Sequence, residues 1–169
     1  VIEDACEAIG AKWLGQQAGT MGDAGVFAFY PNKQLTTGEG GVIVTNNAQL
    51  AEQCRSLRNQ GRDLEKAWLS HVRLGFNYRL DEMSAALGIA QMERIDDILR
   101  RRQQLARMYM DKLCDTPGVI LPSIDPRAQM SWFVFVIRFL DPELRDQVMQ
   151  QLIRKGIGCR PYFSPIHLQ

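Results

Sequence analysis

The segment that most restricts the fold of this chain is residues 26–45, VFAFYPNKQLTTGEGGVIVT. An apolar run rich in aromatic residues stops at Pro31, and a β-branched run begins after Gly40-Gly41. Short runs of this kind, bounded by proline and glycine, read as strands, here expected over 26–30 and 42–45. Between them lies one lysine, Lys33, followed by two threonines and the glycines Gly38, Gly40 and Gly41. The glycines suit a tight turn that brings backbone close to a ligand or a neighbouring strand. They do not make a phosphate-binding loop. G-x-x-x-x-G-K-[ST] is absent, the G-x-G-x-x-G spacing breaks at Ile43, and a strand follows rather than a helix.

The rest of the pattern is mixed. Residues 1–2 read as a buried strand ending at Glu3-Asp4, and 5–11 as a short helix. Residues 15–25 form a glycine-rich connection. Asn46 or Asn47 caps a helix expected over 48–59, with Gly61 just past its end. Residues 62–79 read as irregular. Asp81-Glu82 then opens a long helical stretch, with acids where the first turn favours them. Its apolar spacing, Met83, Leu87, Ala90 and then Ile95, Ile98, Leu99, Ala106, Tyr109, Leu113, changes phase near Glu93-Arg94. Two helices or one bent helix follow.

Thr116-Pro117-Gly118, Pro122 and Pro126 break the pattern, which places a domain boundary there and divides the chain into 1–115 and 116–169. Beyond it, 132–139 (WFVFVIRF) reads as a strand, a helix runs from Asp141-Pro142 to about Lys155, and 157–160 reads as a returning strand. Helices covering a sheet, an α/β architecture, is the expected class. In such sheets ligands gather at strand ends, where Asp4 and Lys33 both lie.

Composition narrows the function classes. The chain has 169 residues, 46% hydrophobic and 23% charged, with a formal net charge of +1. That balance points to neither nucleic acid nor an anionic membrane. No run is long and apolar enough to span a bilayer. Cys6, Cys54, Cys114 and Cys159 are scattered without a C-x-x-C pair, which suits free thiols in a reducing cytoplasm rather than a metal site. The opening VIEDA begins inside an apolar strand and the ending PYFSPIHLQ has no closing helix, so an internal piece of a longer protein is expected.

Lys33 and Asp4 are the candidates for chemistry. A lysine whose amine is neutral part of the time forms Schiff bases with carbonyl compounds. A solvated loop lysine also fits the local sequence. Asp4 follows an apolar strand and needs a cationic or donor partner. A helix N-cap for 5–11 and a partner for a pyridinium nitrogen are both open to it. Asn77-Tyr78-Arg79 precedes a helix N-terminus, a place for anion binding or plain capping. His71 and His167 lack metal spacing, and Arg100-Arg101-Arg102 suits a solvated helix face.

Taken in order, VIEDACEAIGA, GDAGVFAFYPNKQLTTGEGGVIVT, LRNQG, GFNYRLDEMSAALG, SWFVFVIR and GIGCRPYFSPIH resemble the DegT/DnrJ/EryC1/StrS family over essentially the whole chain. These are pyridoxal-phosphate aminotransferases of fold type I that act on nucleotide-linked keto sugars. The resemblance implies a large, mostly parallel-sheet cofactor domain whose C-terminal part is 1–115. It also implies a small α+β C-terminal domain that begins over 116–169. It further implies pyridoxal 5'-phosphate as cofactor, glutamate as donor, a keto sugar nucleotide aminated at C3 or C4, and a homodimer.

Residue by residue, Lys33 resembles the Schiff-base lysine and proton carrier of the family, and Asp4 the partner of the pyridine nitrogen. Glu7 matches a position near the cofactor ring. Asn77 resembles an asparagine that reaches the cofactor phosphate of the neighbouring subunit, with Arg79 beside it. The sequence departs at Ala28, where many relatives place a phosphate-binding serine, and at Gln60, where a histidine is common. Dehydratase relatives carry a histidine in place of the lysine, so Lys33 argues for transamination. A regulatory or sensor protein on the same fold, binding the cofactor without sugar transamination, is the alternative.

Overall fold

The computed structural model describes residues 1–63, 70–163 and 166–168. In chain order its elements are β1 (Ile2–Asp4), β2 (Lys12–Trp13), β3 (Gln16–Gln17), β4 (Ala24–Ala28), β5 (Gly41–Val44), α1 (Ala48–Arg58), α2 (Glu82–Met92), α3 (Ile95–Leu113), β6 (Val119–Ile120), β7 (Ala128–Gln129), β8 (Arg138–Phe139) and α4 (Pro142–Arg154), followed by a short 3-10 turn at Ile166–Leu168. Residues 64–69 of the irregular stretch, and Ser164 and Pro165 of the last motif, lie outside the described residues.

One compact unit comprises Val1–Gln103 with Asp125–Phe133. Its main sheet has the order β1-β4-β5. β1 and β4 run parallel, with Ile2 opposite Ala24 and Asp4 opposite Val26. β4 and β5 run antiparallel, from Gly25 opposite Val44 to Ala28 opposite Gly41. The two strands expected around the lysine are therefore present, each shifted slightly toward the N-terminus. β2 forms a second small sheet with β3 and β7.

The glycine-rich connection is bound to this sheet by one carboxylate. Glu3 accepts the backbone N–H of Gly19 at 2.8 Å, together with those of Met21 and Gly22. These bonds, that of Gly22 foremost, hold the Glu3 carboxyl below its ordinary range. The connection then passes directly over β4. A Cβ on Gly25 would stand 2.1 Å from the Gly19 carbonyl oxygen, so only glycine fits there.

Residues 5–11 are not a helix. Ala8 N–H bonds to Ala5 O, and Ala11 N–H to Ala8 O, each at 2.9 Å. These are successive turns with an i→i+3 closure, and Gly10 at φ 80° takes the backbone out of the right-handed region. The longer helices follow their sequence signals. Asn47 caps α1 by accepting from Leu50 N–H at 3.0 Å, and Gly61 past its end has φ 74°. Asp81 caps α2 through Ser84 N–H at 2.9 Å. The change of phase near Glu93-Arg94 is the break between α2 and α3. α2 is rich in Ala, Leu, Ile and Met, yet none of its residues is buried.

The second unit comprises Gln104–Ile124 with Val134–Gln169. β6 and β8 pair antiparallel, with Val119 opposite Phe139. The rings of Tyr109 and Phe135 stack at 5.0 Å. Asp141 caps α4 with Pro142 in its first turn, and Gly156 at φ 76° ends it.

The strand expected over 132–139 is mostly unpaired. Burial alternates residue by residue from Phe133 to Phe139, the period of an extended chain, but only Arg138–Phe139 finds a ladder partner. At the start of the run, Trp132 has φ 52°, which no strand tolerates. Residues 157–160 form no strand among the described residues. All four cysteines are free thiols. No helix among the described residues is long and apolar enough to cross a membrane.

Candidate active site

Parallel pairing of β1 with β4 puts the ends of both strands on one edge of the sheet. Asp4 ends β1. Its Oδ1 accepts the N–H of Cys6 at 3.2 Å, closing a local turn, so it caps no helix. Hydrogen bonding from Cys6 holds the Asp4 carboxyl below its ordinary range, and the charge of Lys33 acts in the same direction. The Cys6 thiol is pushed up by burial, with the hydrogen bond and charge of Asp4 adding to it. A thiol held protonated is a poor nucleophile.

Lys33 sits in the loop that leaves β4. The loop is closed at its neck, where Phe29 N–H bonds to Gly40 O at 2.8 Å and Thr37 N–H to Phe29 O at 2.9 Å. Gly40 at φ 137° makes that closure. A Cβ there would come within 2.8 Å of both Leu80 and Thr37. The glycine cluster thus serves a close backbone approach. Gln91 of α2 fixes the loop: its Oε1 accepts the Thr36 N–H and its Nε2 donates to the Thr36 carbonyl.

The side chain of Lys33 is only 13% exposed. Its Nζ donates to Glu7 Oε1 at 2.9 Å and lies 4.4 Å from the centroid of the Phe133 ring. Next to it, Gln34 is buried, and its Nε2 donates to the Glu7 carbonyl at 2.8 Å and to Ser131 Oγ at 2.9 Å. Gln34 Oε1 is buried without a partner in the described structure.

Trp132, between Ser131 and Phe133, is in the left-handed region. Arg102 holds it there by donating to the carbonyls of Trp132 at 3.0 Å and Phe133 at 3.2 Å, while the indole N–H donates to Gln103 Oε1 at 2.9 Å. A bulky residue at positive φ costs free energy and persists only where its surroundings over-determine it.

Asp4, Glu7 and Lys33 are therefore brought together. Asn77 and Arg79 are anchored elsewhere in the same unit. Asn77 is exposed and bridges Asn59 at the end of α1, and the Arg79 guanidinium donates to Asn59 Oδ1 at 2.9 Å. Neither is hydrogen-bonded to Asp4 or Lys33 among the described residues. Capping of α2 falls to Asp81, not to Asn77. Gln60 has φ 62° and accepts from Arg62 at 2.8 Å. Ala28 lies in β4 opposite Gly41.

Sequence reasoning did not find Phe133, Ser131, Gln34 or Gln103, and it assigned Arg102 to a solvated helix face, whereas Arg102 is partly buried and bonded to the carbonyls of Trp132 and Phe133. The first two open the SWFVFVIR run, where a strand pattern hides their role. Nothing local to Gln34 or to the middle of α3 marks the others.

The chain matches the profile of the DegT/DnrJ/EryC1/StrS aminotransferase family over residues 1–169. It is 39% identical to the GDP-perosamine synthase of Caulobacter vibrioides, covering 99% of this chain and 46% of that protein. It is 38% identical to a protein of Saccharopolyspora erythraea named erythromycin biosynthesis sensory transduction protein EryC1, covering 99% of this chain and 45% of that one. Among solved structures, DesV of S. venezuelae in complex with a ketimine intermediate superposes with a TM-score of 0.89 at 37% identity, covering 99% of this chain and 44% of that one. The chain thus spans less than half the length of these relatives.

Proposed function

Because the chain belongs to the DegT/DnrJ/EryC1/StrS aminotransferase family, we propose that its parent protein is a pyridoxal-phosphate aminotransferase that moves an amino group from glutamate to C3 or C4 of a nucleotide-linked keto sugar. The observation that carries this reading is the Lys33 amine, mostly shielded from solvent, on the same strand edge as the Asp4 carboxylate.

The donor set fits the cofactor. An amine suits its aldehyde and a carboxylate suits its ring nitrogen, and here the carboxylate ends β1 while the amine lies in the loop that leaves its parallel neighbour β4. Pyridoxal phosphate, when bound, supplies an electron sink for charge left on a substrate carbon. Asp4 would hold the ring nitrogen, a task for which hydrogen bonding from Cys6 and the charge of Lys33 both favour its anionic form. Lys33 would attack the carbonyl carbon and afterwards carry a proton between carbon atoms. Glu7 would lie beside the ring. Asn77 and Arg79 would bind the cofactor phosphate of a second subunit, which suits their exposure and their anchoring at the end of α1. The exposed apolar side chains Met83, Leu87, Ile89 and Met92 of α2 support a covering partner surface, as a homodimer would supply. In this reading 1–115 belongs to the cofactor domain, 116–169 begins the small domain, and the enzyme works in the cytoplasm.

The test is amino transfer from glutamate to a panel of keto sugar nucleotides by the full-length protein. Lys33→Ala is expected to abolish turnover and the covalent adduct trapped by borohydride. Wild-type turnover in that variant would sink the assignment. The sensory name of one relative at 38% identity favours a second reading, cofactor binding without sugar amination. Visible absorbance on adding the cofactor, with no transfer to any sugar nucleotide, would select it.

A further inference from the structure

Two groups around Lys33 have a chemistry that cofactor binding does not explain. The Glu7 carboxylate accepts a hydrogen bond from Nζ at 2.9 Å, and the Phe133 ring lies 4.4 Å from the same atom. Both favour a cation over a neutral amine. A charge-assisted hydrogen bond stabilises the ammonium, and an aromatic face attracts it.

Neither group is loosely placed. Through Gln34 Nε2, the turn that carries Glu7 is tied to Ser131, two residues before the ring. Phe133 itself is set by the left-handed Trp132: Arg102 donates to the carbonyls of both residues, and the Trp132 indole N–H donates to Gln103. A strained residue over-determined by its neighbours, next to a half-buried charge, is an arrangement that functional sites keep.

On the reading that Lys33 alternates between a covalent bond and a free amine, it needs a place to wait. We propose that Glu7 and Phe133 form a seat that receives the free Lys33 amine as an ammonium. The seat keeps the amine at this edge of the sheet and holds on Nζ the proton it has taken up. Glu7 and Phe133 are then positioning residues, acting through Lys33.

The test uses the full-length protein after hydroxylamine treatment and gel filtration, with Lys33 free. N-hydroxysuccinimidyl acetate is added near neutral pH, and acetylation of Lys33 is read by mass spectrometry against Lys12 of the same chain. Glu7→Gln is expected to speed Lys33 relative to Lys12 by about tenfold, and Phe133→Leu by roughly threefold. An unchanged ratio of Lys33 to Lys12 in Glu7→Gln overturns the proposal. If both lysines accelerate alike in Glu7→Gln, the fold has loosened and Phe133→Leu decides, with no selective gain at Lys33 there overturning the seat. Borohydride trapping with pyridoxal phosphate runs on the same samples. No Lys33 adduct sinks the proposed function, whereas an adduct with unchanged acetylation ratios sinks the seat alone.

Discussion

Replacing Gly25 by alanine tests how the site-bearing sheet is held. The new Cβ would stand 2.1 Å from Gly19 O, 2.6 Å from Gly19 Cα and 2.7 Å from Gly19 C. All three are backbone atoms, so no side chain can swing aside. Either β4 shifts against β1 and β5, or the connection over it lifts. Lifting is opposed by the Gly19 N–H bond to Glu3 at 2.8 Å. Overpacking of this kind costs about 1–3 kcal/mol, and a backbone clash belongs at the upper end. Against it stands the gain of alanine over glycine within a strand, about 0.5–1 kcal/mol. The net is a loss of about 2 kcal/mol, an order of thirtyfold in the local folding equilibrium. Hydrogen exchange of peptides covering 15–28 in the full-length protein reads it directly, with comparably faster exchange expected. Gly158→Ala is the control, since nothing lies within 4 Å of its Cβ position. Exchange within twofold of wild type in Gly25→Ala would refute the steric argument, because the loop would then have moved at little cost.

Three further outcomes follow from particular contacts. The Glu3 carboxyl is depressed when folded, so the hold it exerts on the connection is fully present above its ordinary value of 4.5 and is lost as pH falls through the lower folded value. Exchange at Gly19 and Gly22, corrected for intrinsic rate, is expected to rise below that pH in wild type, and a Glu3→Gln variant to show no such step. Asn47→Ala removes the cap of α1 and is expected to cost about 1 kcal/mol, read as faster exchange in the first turn of α1 with no change at Leu50 sinking the assignment. Arg102→Met strips the donors from the carbonyls of Trp132 and Phe133. A loss of about 1–3 kcal/mol is expected by denaturant unfolding, and a shift below about 0.5 kcal/mol would mean that Trp132 is held by packing alone.

The helices were legible because their signals are local. A cap at Asn47 or Asp81, the phase change at Glu93-Arg94 and a proline at the start of α4 each act within a few residues. The strands flanking Lys33 were legible for a similar reason, since proline and glycine bound them. Residues 5–11 misled because the Ala-rich composition suits a helix, while the turn made by Asp4 and the left-handed Gly10 close the chain into shorter loops. Residues 132–139 misled in a different way. Their period of two is real, but a strand also needs a neighbour to pair with, and sequence period says nothing about that.

Sequence alone determined the ends of the helices, the two strands around Lys33, and the presence of an amine and a carboxylate at strand ends. Those depend on side-chain propensity and backbone geometry within a turn or a strand. Only the tertiary structure decided what faces the amine. Glu7, Gln34, Ser131 and Phe133 meet there from three separate segments, with Gln34 and Ser131 alone 97 residues apart. Their meeting depends on a left-handed tryptophan that two residues of α3 hold in place. Such contacts arise from long-range packing, in which each segment supplies one group and none carries the pattern by itself.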